Sequence, residues 1–110
     1  MPRFLVVTVF VAGALLVGCS SSGVKATTNL QAKDITYSPT TIQLKAGEKV
    51  RFVVHNGDNI EHNLTISQLG VNKDVEGGET AKATATPNAG TYEFHCKYHP
   101  DQMKGTITVA

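Results

Sequence analysis

Short runs of alternating or β-branched residues, separated by turn residues, recur along most of this 110-residue chain and restrict its possible folds more than any other feature. Alternation of apolar and polar residues is typical of half-buried strands, and no stretch shows the spacing of an amphipathic helix. The even spacing of the runs predicts an all-β protein, an antiparallel Greek-key β-sandwich of about seven to eight strands. The predicted strands cover residues 30–37, 41–44, 50–55, 63–67, 79–86, 91–96 and 105–109, and residues 69–75 are less regular.

The first eighteen residues have the character of an export signal. Arg3 is followed by an apolar run over residues 4–17, which is too short to span a membrane as a helix, since that takes about 20 residues. An apolar run that ends at a small residue, here Gly18, is typical of a secretory signal peptide. We therefore expect residues 1–18 to be cleaved off as a signal peptide.

Residues 16–19, with the letters LVGC, close this apolar run and resemble the lipobox of bacterial lipoproteins. The resemblance implies that Cys19 is diacylated and becomes the first residue of the mature chain. Two acyl chains anchor a protein stably, so we expect an extracytoplasmic protein tethered to a bacterial membrane. Residues 19–29 would form a lipid-anchored flexible spacer, and residues 30–110 the folded domain. A secreted protein with a chance cysteine, or an uncleaved anchor, is the alternative interpretation.

The charge of the mature chain excludes one class of partner. Cleavage after Gly18 takes away Arg3 and leaves nine basic against nine acidic residues, so the mature chain is formally neutral. A neutral chain without a basic cluster argues against a nucleic-acid partner. A chain of this size buries one modest core, and we expect a monomer.

Cys96 is the only cysteine that remains after Cys19 has been acylated, so the domain has no disulfide, although disulfides are common outside the cytoplasm. A single cysteine at a strand end is usually a small core residue. Cys96, however, is followed by His99 and Met103 in the segment between two predicted strands. Alternation along the preceding strand turns Cys96 toward the core, so the segment can fold His99 and Met103 over the same point.

The donor atoms of these side chains suit copper. Thiolate and thioether sulfur stabilise the cuprous state and imidazole suits both oxidation states, so two His, one Cys and a weak axial Met form electron-transfer copper sites. The second imidazole must come from another connection, and His62, which is followed by Asn63 and precedes a predicted strand, is the best source. His55 and His95 lie within predicted strands, where we expect surface or structural roles.

A His-Asn pair, a long gap and then Cys-x2-His-x3-Met resembles the pattern of the cupredoxins, and above all of plastocyanin, amicyanin and pseudoazurin. The resemblance covers essentially the whole mature domain. It implies one type 1 copper ion. Its equatorial ligands would be His62, Cys96 and His99, and its axial ligand would be Met103. It also implies that Asn63 ties the segment around His62, the first ligand segment, to residues 96–103, the second ligand segment, near the thiolate. Electrons would pass at the exposed edge of His99, where redox donors and acceptors would dock.

The spacing within the second ligand segment departs from the relatives that it resembles. The step from Cys96 to His99 is that of plastocyanin. The gap from His99 to Met103 is one residue shorter than in plastocyanin and one longer than in amicyanin. Gln102 is therefore an alternative to Met103 as the axial ligand.

The resemblance implies a type 1 copper protein that shuttles single electrons between extracytoplasmic redox partners and is not an enzyme. An envelope copper carrier or buffer is the main alternative, although such proteins favour Met- and His-rich motifs and this chain has only two methionines. A multicopper enzyme needs further histidine clusters, which this sequence does not contain. A binuclear copper site needs a second cysteine in the loop, where this sequence has only Cys96. A catalytic Cys96–His99 pair lacks a third orienting residue. A sandwich that has lost its metal is disfavoured because all four ligand candidates are present.

Overall fold

The computed structural model describes residues 23–110, which fold into nine β-strands and one short 3-10 turn. The predicted signal peptide and the predicted lipidation site at Cys19 lie outside the described residues. Within residues 23–110, no helix is long and apolar enough to cross a membrane. The strands are β1 Ala26–Lys33, β2 Thr36–Ser38, β3 Thr41–Leu44, β4 Val50–Asn56, β5 His62–Ile66, β6 Val71–Val75, β7 Thr80–Ala85, β8 Gly90–His95 and β9 Lys104–Val109.

Two sheets enclose one core, which confirms the predicted all-β sandwich. One sheet has four strands in the order β2-β1-β4-β7, and the other has five in the order β3-β9-β8-β5-β6. Most neighbours are antiparallel, as predicted, but β1 with β4 and β3 with β9 pair parallel, so both sheets are mixed. Parallel neighbours need a long crossover connection, and the chain provides one by passing through β3 in the other sheet between β1 and β4.

The first predicted strand consists of two strands joined by a tight turn. β1 ends at Lys33 and β2 starts at Thr36. The two turn residues between them, Asp34 and Ile35, have positive φ angles of 53° and 56°. β1 also begins at Ala26, inside the predicted spacer of residues 19–29. The less regular region, residues 69–75, contains the edge strand β6. The middle residues of β6 are exposed on both faces, so its sequence does not alternate between apolar and polar residues.

The apolar core lies between the two sheets. Alternate side chains along the strands point into it, so apolar residues meet there while their polar neighbours face solvent. Burying a large apolar side chain contributes about 1.5–3 kcal/mol, which makes this core the main source of stability. Its largest fully buried members include Leu30, Phe52, Leu64, Ile66, Phe94 and Ile107.

Phe94 supports the end of the core from which the second ligand segment leaves. Its ring contacts that of Tyr37 edge to face, with centroids 5.4 Å apart. Gly105 lies opposite Phe94 in the β8–β9 pair, and an added Cβ there would come within 2.3 Å of the ring. Cys96 and Met103 belong to the same buried cluster as Phe94, so these two ligand candidates rest on the core.

Candidate metal centre

His62 is the first residue of β5, a strand that lies between β8 and β6 and is buried along its whole length. The His62 side chain is fully buried. Its Nε2 atom lies 2.8 Å from Oδ2 of Asp58, while Nδ1 is buried and has no hydrogen-bond partner among the described residues. Since buried polar atoms in native proteins nearly always have a partner, this Nδ1 is a candidate metal donor.

The second ligand segment runs from Cys96, at the end of β8, to Met103, just before β9, and is closed by its own backbone. The N–H of Cys96 donates to the carbonyl of Met103 at 2.9 Å. The N–H groups of His99 and Met103 donate to the carbonyls of Cys96 and His99, at 3.1 and 2.9 Å. This tight turn places Nδ1 of His99 3.8 Å from Sγ of Cys96. The turn therefore brings both side chains over one point.

The two ligand segments meet at one place. Donor atoms of His62, Cys96 and His99 all lie within 4.8 Å of one another, and the two imidazole centroids are 5.4 Å apart. Metal–nitrogen and metal–sulfur bonds are about 2.0–2.3 Å long, so two donors of one ion lie up to about 4.5 Å apart, and small shifts of these side chains would let one ion bond all three. Two imidazoles and a buried thiol are a donor set that suits copper. The three predicted equatorial ligands therefore fit a single copper ion.

Burial separates the two candidates for the axial ligand. Met103 is fully buried in the cluster that contains Cys96, whereas Gln102 is exposed. The positions of the two side chains therefore favour Met103 over Gln102.

Asn63 connects the two ligand segments. Its Oδ1 accepts a hydrogen bond at 3.3 Å from the backbone N–H of Lys97, the residue that follows Cys96. Its Nδ2 donates to the side-chain oxygens of Asn72 and Asp74, at 2.9 and 2.8 Å. Since both ends of the amide are used, Asn63 cannot turn without breaking the link between β5 and the loop.

Tyr37 supports β5 from the core side. Its hydroxyl donates a hydrogen bond to the backbone carbonyl of Asn63. Burial, and to a lesser extent the negative charge that Cys96 carries when it is ionised, raises the pKa of Tyr37 well above its ordinary value, so the phenol remains a donor. Nothing in the local sequence indicates this contact, because the two residues are 26 positions apart.

Asp58 is a candidate functional residue that the sequence does not indicate. It lies in the connection between β4 and β5, where its Oδ2 contacts the buried His62. The hydrogen bond with His62, followed by one from the backbone N–H of Ile35, lowers the pKa of Asp58 to about 2. A carboxylate four residues before a histidine is common in sequences, and only the fold turns it toward the ring.

His55 and His95 lie apart from the donor cluster. The ring nitrogens of His55 contact Oγ1 of Thr80 and Oδ1 of Asn29, both at 3.2 Å, across neighbouring strands of the four-stranded sheet. His95 is half-buried and lies opposite Thr65. Both histidines therefore occupy ordinary strand positions.

The donor cluster reaches the surface on one side. His99 is half-buried, unlike His62 and Cys96. The described residues contain two large apolar side chains that are clearly exposed, Ile60 at 45 % and Tyr98 at 43 %. Each lies within two positions of a ligand candidate. The site is thus closed toward the core and open to solvent at one imidazole edge.

Comparison with known proteins identifies one family. The sequence profile of the cupredoxin-like domain matches residues 5–109. A search of the curated proteins found no match.

Many solved structures share the fold. Auracyanin A, a "blue" copper protein from Chloroflexus aurantiacus, is 19 % identical with a TM-score of 0.67, over 76 % of this chain and 98 % of that one. Auracyanin B is 22 % identical with a TM-score of 0.70, over 83 % and 93 %. The metal-binding domain of the Cu(I)-exporting P-type ATPase CopA from Streptococcus pneumoniae D39 is 24 % identical with a TM-score of 0.68, over 83 % and 90 %. At these identities the likeness establishes the fold alone.

Proposed function

This chain belongs to the cupredoxin-like domain family, and on that premise we propose that it is a type 1 copper protein that transfers single electrons. The convergence of His62, Cys96 and His99 donor atoms within 4.8 Å of one another is the observation that carries the proposal. Auracyanin A, described as a blue copper protein, has the same fold.

Four side chains would hold the ion. Three of them provide donors at the observed cluster, and the fourth, Met103, lies on the buried side of the loop. When bound, copper supplies a one-electron couple between its cuprous and cupric states. Cys96 has to lose its proton to act as a thiolate ligand, so copper binding releases a proton.

The surrounding chain favours electron transfer because it holds these donors in one arrangement. β5 is fully buried, and Asn63 joins it to the residue after Cys96. Leu64 and Phe94 are fully buried in the core cluster that also contains Cys96 and Met103, and closely packed interiors resist deformation. A site that keeps its shape in both oxidation states needs little reorganisation, which speeds the exchange of an electron with a partner.

Redox partners would dock where His99 reaches the surface. Ile60 and Tyr98 offer exposed apolar area next to the two ligand segments, and transient complexes form through small contact areas. A donor and an acceptor would use this surface in turn, with the protein acting as a monomer. A lipid on Cys19 would keep the domain at the outside of a bacterial membrane.

Voltammetry of the copper-loaded chain tests electron transfer. The proposal expects fast, reversible one-electron cycling with the copper retained throughout. His55→Ala, which removes an imidazole outside the donor cluster, is the matched control and should cycle like the wild type. Irreversible cycling, or loss of copper on reduction, would contradict the proposal.

A copper carrier is a second candidate function, because the fold is also similar to the metal-binding domain of a Cu(I)-exporting ATPase. A carrier has to hand its ion to a partner, and the half-buried His99 offers a route of release. A Cu(I) chelator added to the reduced protein separates the two functions. Rapid handover favours the carrier, and slow release with intact redox cycling favours electron transfer.

A further inference from the structure

The turn between β1 and β2 has a backbone shape that its sequence disfavours. Both turn residues, Asp34 and Ile35, lie in the left-handed region, with φ angles of 53° and 56°. Tight hairpin turns of this shape are usually built from Asn, Asp and Gly, and a β-branched residue in that region is an outlier. Strained residues persist where the surrounding structure holds them, often at functional sites.

This strained turn binds a carboxylate. The N–H of Asp34 donates to Oδ1 of Asp58 at 2.8 Å, and the N–H of Ile35 donates to Oδ2 at 3.0 Å. Successive N–H groups in a turn form a concave anion site, and here the anion is a side chain from a distant connection. Both oxygens of Asp58 are therefore held by the hairpin.

The backbone that carries Asp58 is also held. The Asn56 side chain accepts a hydrogen bond from the N–H of Asp58 at 2.9 Å and donates to the carbonyl of Ile60 at 2.8 Å. Gly77 packs so closely against this connection that an added Cβ would come within 2.6 Å of the Asn59 backbone. Asp58 cannot move away from its position without breaking several of these contacts.

The same carboxylate contacts His62. Oδ2 of Asp58 lies 2.8 Å from Nε2 of the ring. Because an ionised carboxylate only accepts hydrogen bonds, the neutral imidazole has to carry its proton on Nε2. The lone pair then lies on Nδ1, the buried atom without a hydrogen-bond partner. Carboxylates that hold a metal-binding histidine in this way fix its tautomer and its orientation and raise its basicity.

We propose that Asp58 is a positioning residue for His62 and that the strained β1–β2 turn keeps it in place. The carboxylate fixes the ring with Nδ1 free for a metal. Its negative charge also favours the more highly charged cupric state over the cuprous state. This second effect rests on the proposed function, whereas the first is a property of the metal-free protein.

Nitrogen-15 NMR of the histidine-labelled, metal-free chain tests the first effect. When its ring is neutral, His62 should carry the proton on Nε2. Asp58→Ala should mix the two tautomers, and Asp58→Asn, which keeps one acceptor oxygen, should retain most of the Nε2–H form. Glu61→Gln removes a neighbouring charge and leaves this hydrogen bond intact, so it should match the wild type. A wild-type His62 protonated on Nδ1 overturns the proposal, even if no variant folds.

Copper affinities of the same proteins test the second effect. Asp58→Ala should lower the Cu(II) affinity about ten- to a hundredfold, the usual cost of losing such a partner, and the Cu(I) affinity much less. Asp58→Asn should also weaken Cu(II) binding, because the variant lacks the charge. Equal losses for the two oxidation states, or an equal loss in Glu61→Gln, would overturn this effect.

Failure of these predictions is distinguishable from failure of the proposed function. If the Cu(II)-loaded wild type lacked a thiolate absorption band, the electron-transfer proposal would be wrong. The NMR spectra of the metal-free chain would still decide whether Asp58 sets the tautomer of His62.

Discussion

The two segments that supply the donor atoms are held by different kinds of contact. His62 lies on a strand whose residues are all buried, and its supports come from far along the chain. Asp58 is bound by turn residues 24 and 23 positions away, and Tyr37 contacts the backbone of Asn63 across 26 positions. Residues 96–103, in contrast, are closed by hydrogen bonds within their own backbone.

Because of this difference, one segment holds its donor atom in a fixed position and the other exposes its donor residue to solvent. The β5 segment contributes a donor that the fold fixes and hides, whereas the loop contributes His99, which solvent reaches. A protein that exchanges electrons with other proteins needs a fixed site and one route to its surface. Changes around β5 should therefore affect the whole domain, and changes at His99 should remain local.

Replacing either His62 or His99 by glycine has the largest expected effect, which is the loss of the copper site. His62→Gly and His99→Gly each remove a predicted equatorial donor, so both should lose the visible copper band. Added imidazole should restore the band in His99→Gly, because the half-buried ring leaves a gap that opens to solvent. His62→Gly should not recover, because its gap would be enclosed. Absorption spectra with and without imidazole measure this, and equal recovery of both variants would contradict the comparison.

Removing single hydroxyl groups tests the long-range support of β5 with a smaller effect. Tyr37→Phe leaves the buried carbonyl of Asn63 without its donor and should lower the free energy of unfolding by about 1–3 kcal/mol. Tyr92→Phe is the matched control, because the Tyr92 hydroxyl binds the exposed carbonyl of Asn88 only four positions away. It should change the unfolding free energy by less than about 0.5 kcal/mol. Urea unfolding of the metal-free variants measures both, and equal costs would show that the long-range contact has no special weight.

The smallest expected effect concerns acidic residues beside β5. A hydrogen bond with Glu61, followed by its charge repulsion, raises the pKa of Glu76 above the ordinary value of 4.5. The folded state therefore binds this proton more tightly than the unfolded state does. The contribution of Glu76 to stability is fully present below pH 4.5 and is lost as the pH rises through its raised pKa. Glu76→Gln should thus raise the melting temperature at neutral pH but not below pH 4.5.

Thermal melts of the metal-free chain across this pH range check the prediction. The double variant Glu61→Gln/Glu76→Gln should gain little more than Glu76→Gln alone, because the first substitution already removes the repulsion. A gain that is the same at every pH would show that the two carboxylates do not interact.

The loop segment was predictable from the sequence because its geometry is local. Alternation along β8 turns Cys96 inward, and a spacing of three residues suffices for a tight turn to place His99 beside it. The convergence of His62 with this pair also followed from the residue pattern and the family resemblance. The sequence leaves Met103 and Gln102 open as candidates for the axial ligand, since it does not show which of the two side chains the fold buries.

The contacts that hold β5 were not predictable, for a physical reason. Alternation reports which face of a strand is buried, but not which strand lies beside it or in which direction. The parallel pairs β1–β4 and β3–β9 therefore had no signal in the sequence. The pattern of residues 30–37 predicts one strand, so it does not indicate the turn at Asp34 and Ile35 or the site that holds Asp58.

The absorption spectrum of the Cu(II)-loaded chain tests most directly whether the two segments meet around one copper ion with a thiolate ligand. The wild type should show an intense visible band from charge transfer between the Cys96 sulfur and Cu(II), and Cys96→Ala should lack it. A colourless Cu(II) complex of the wild type, or a band that survives in Cys96→Ala, would contradict the account.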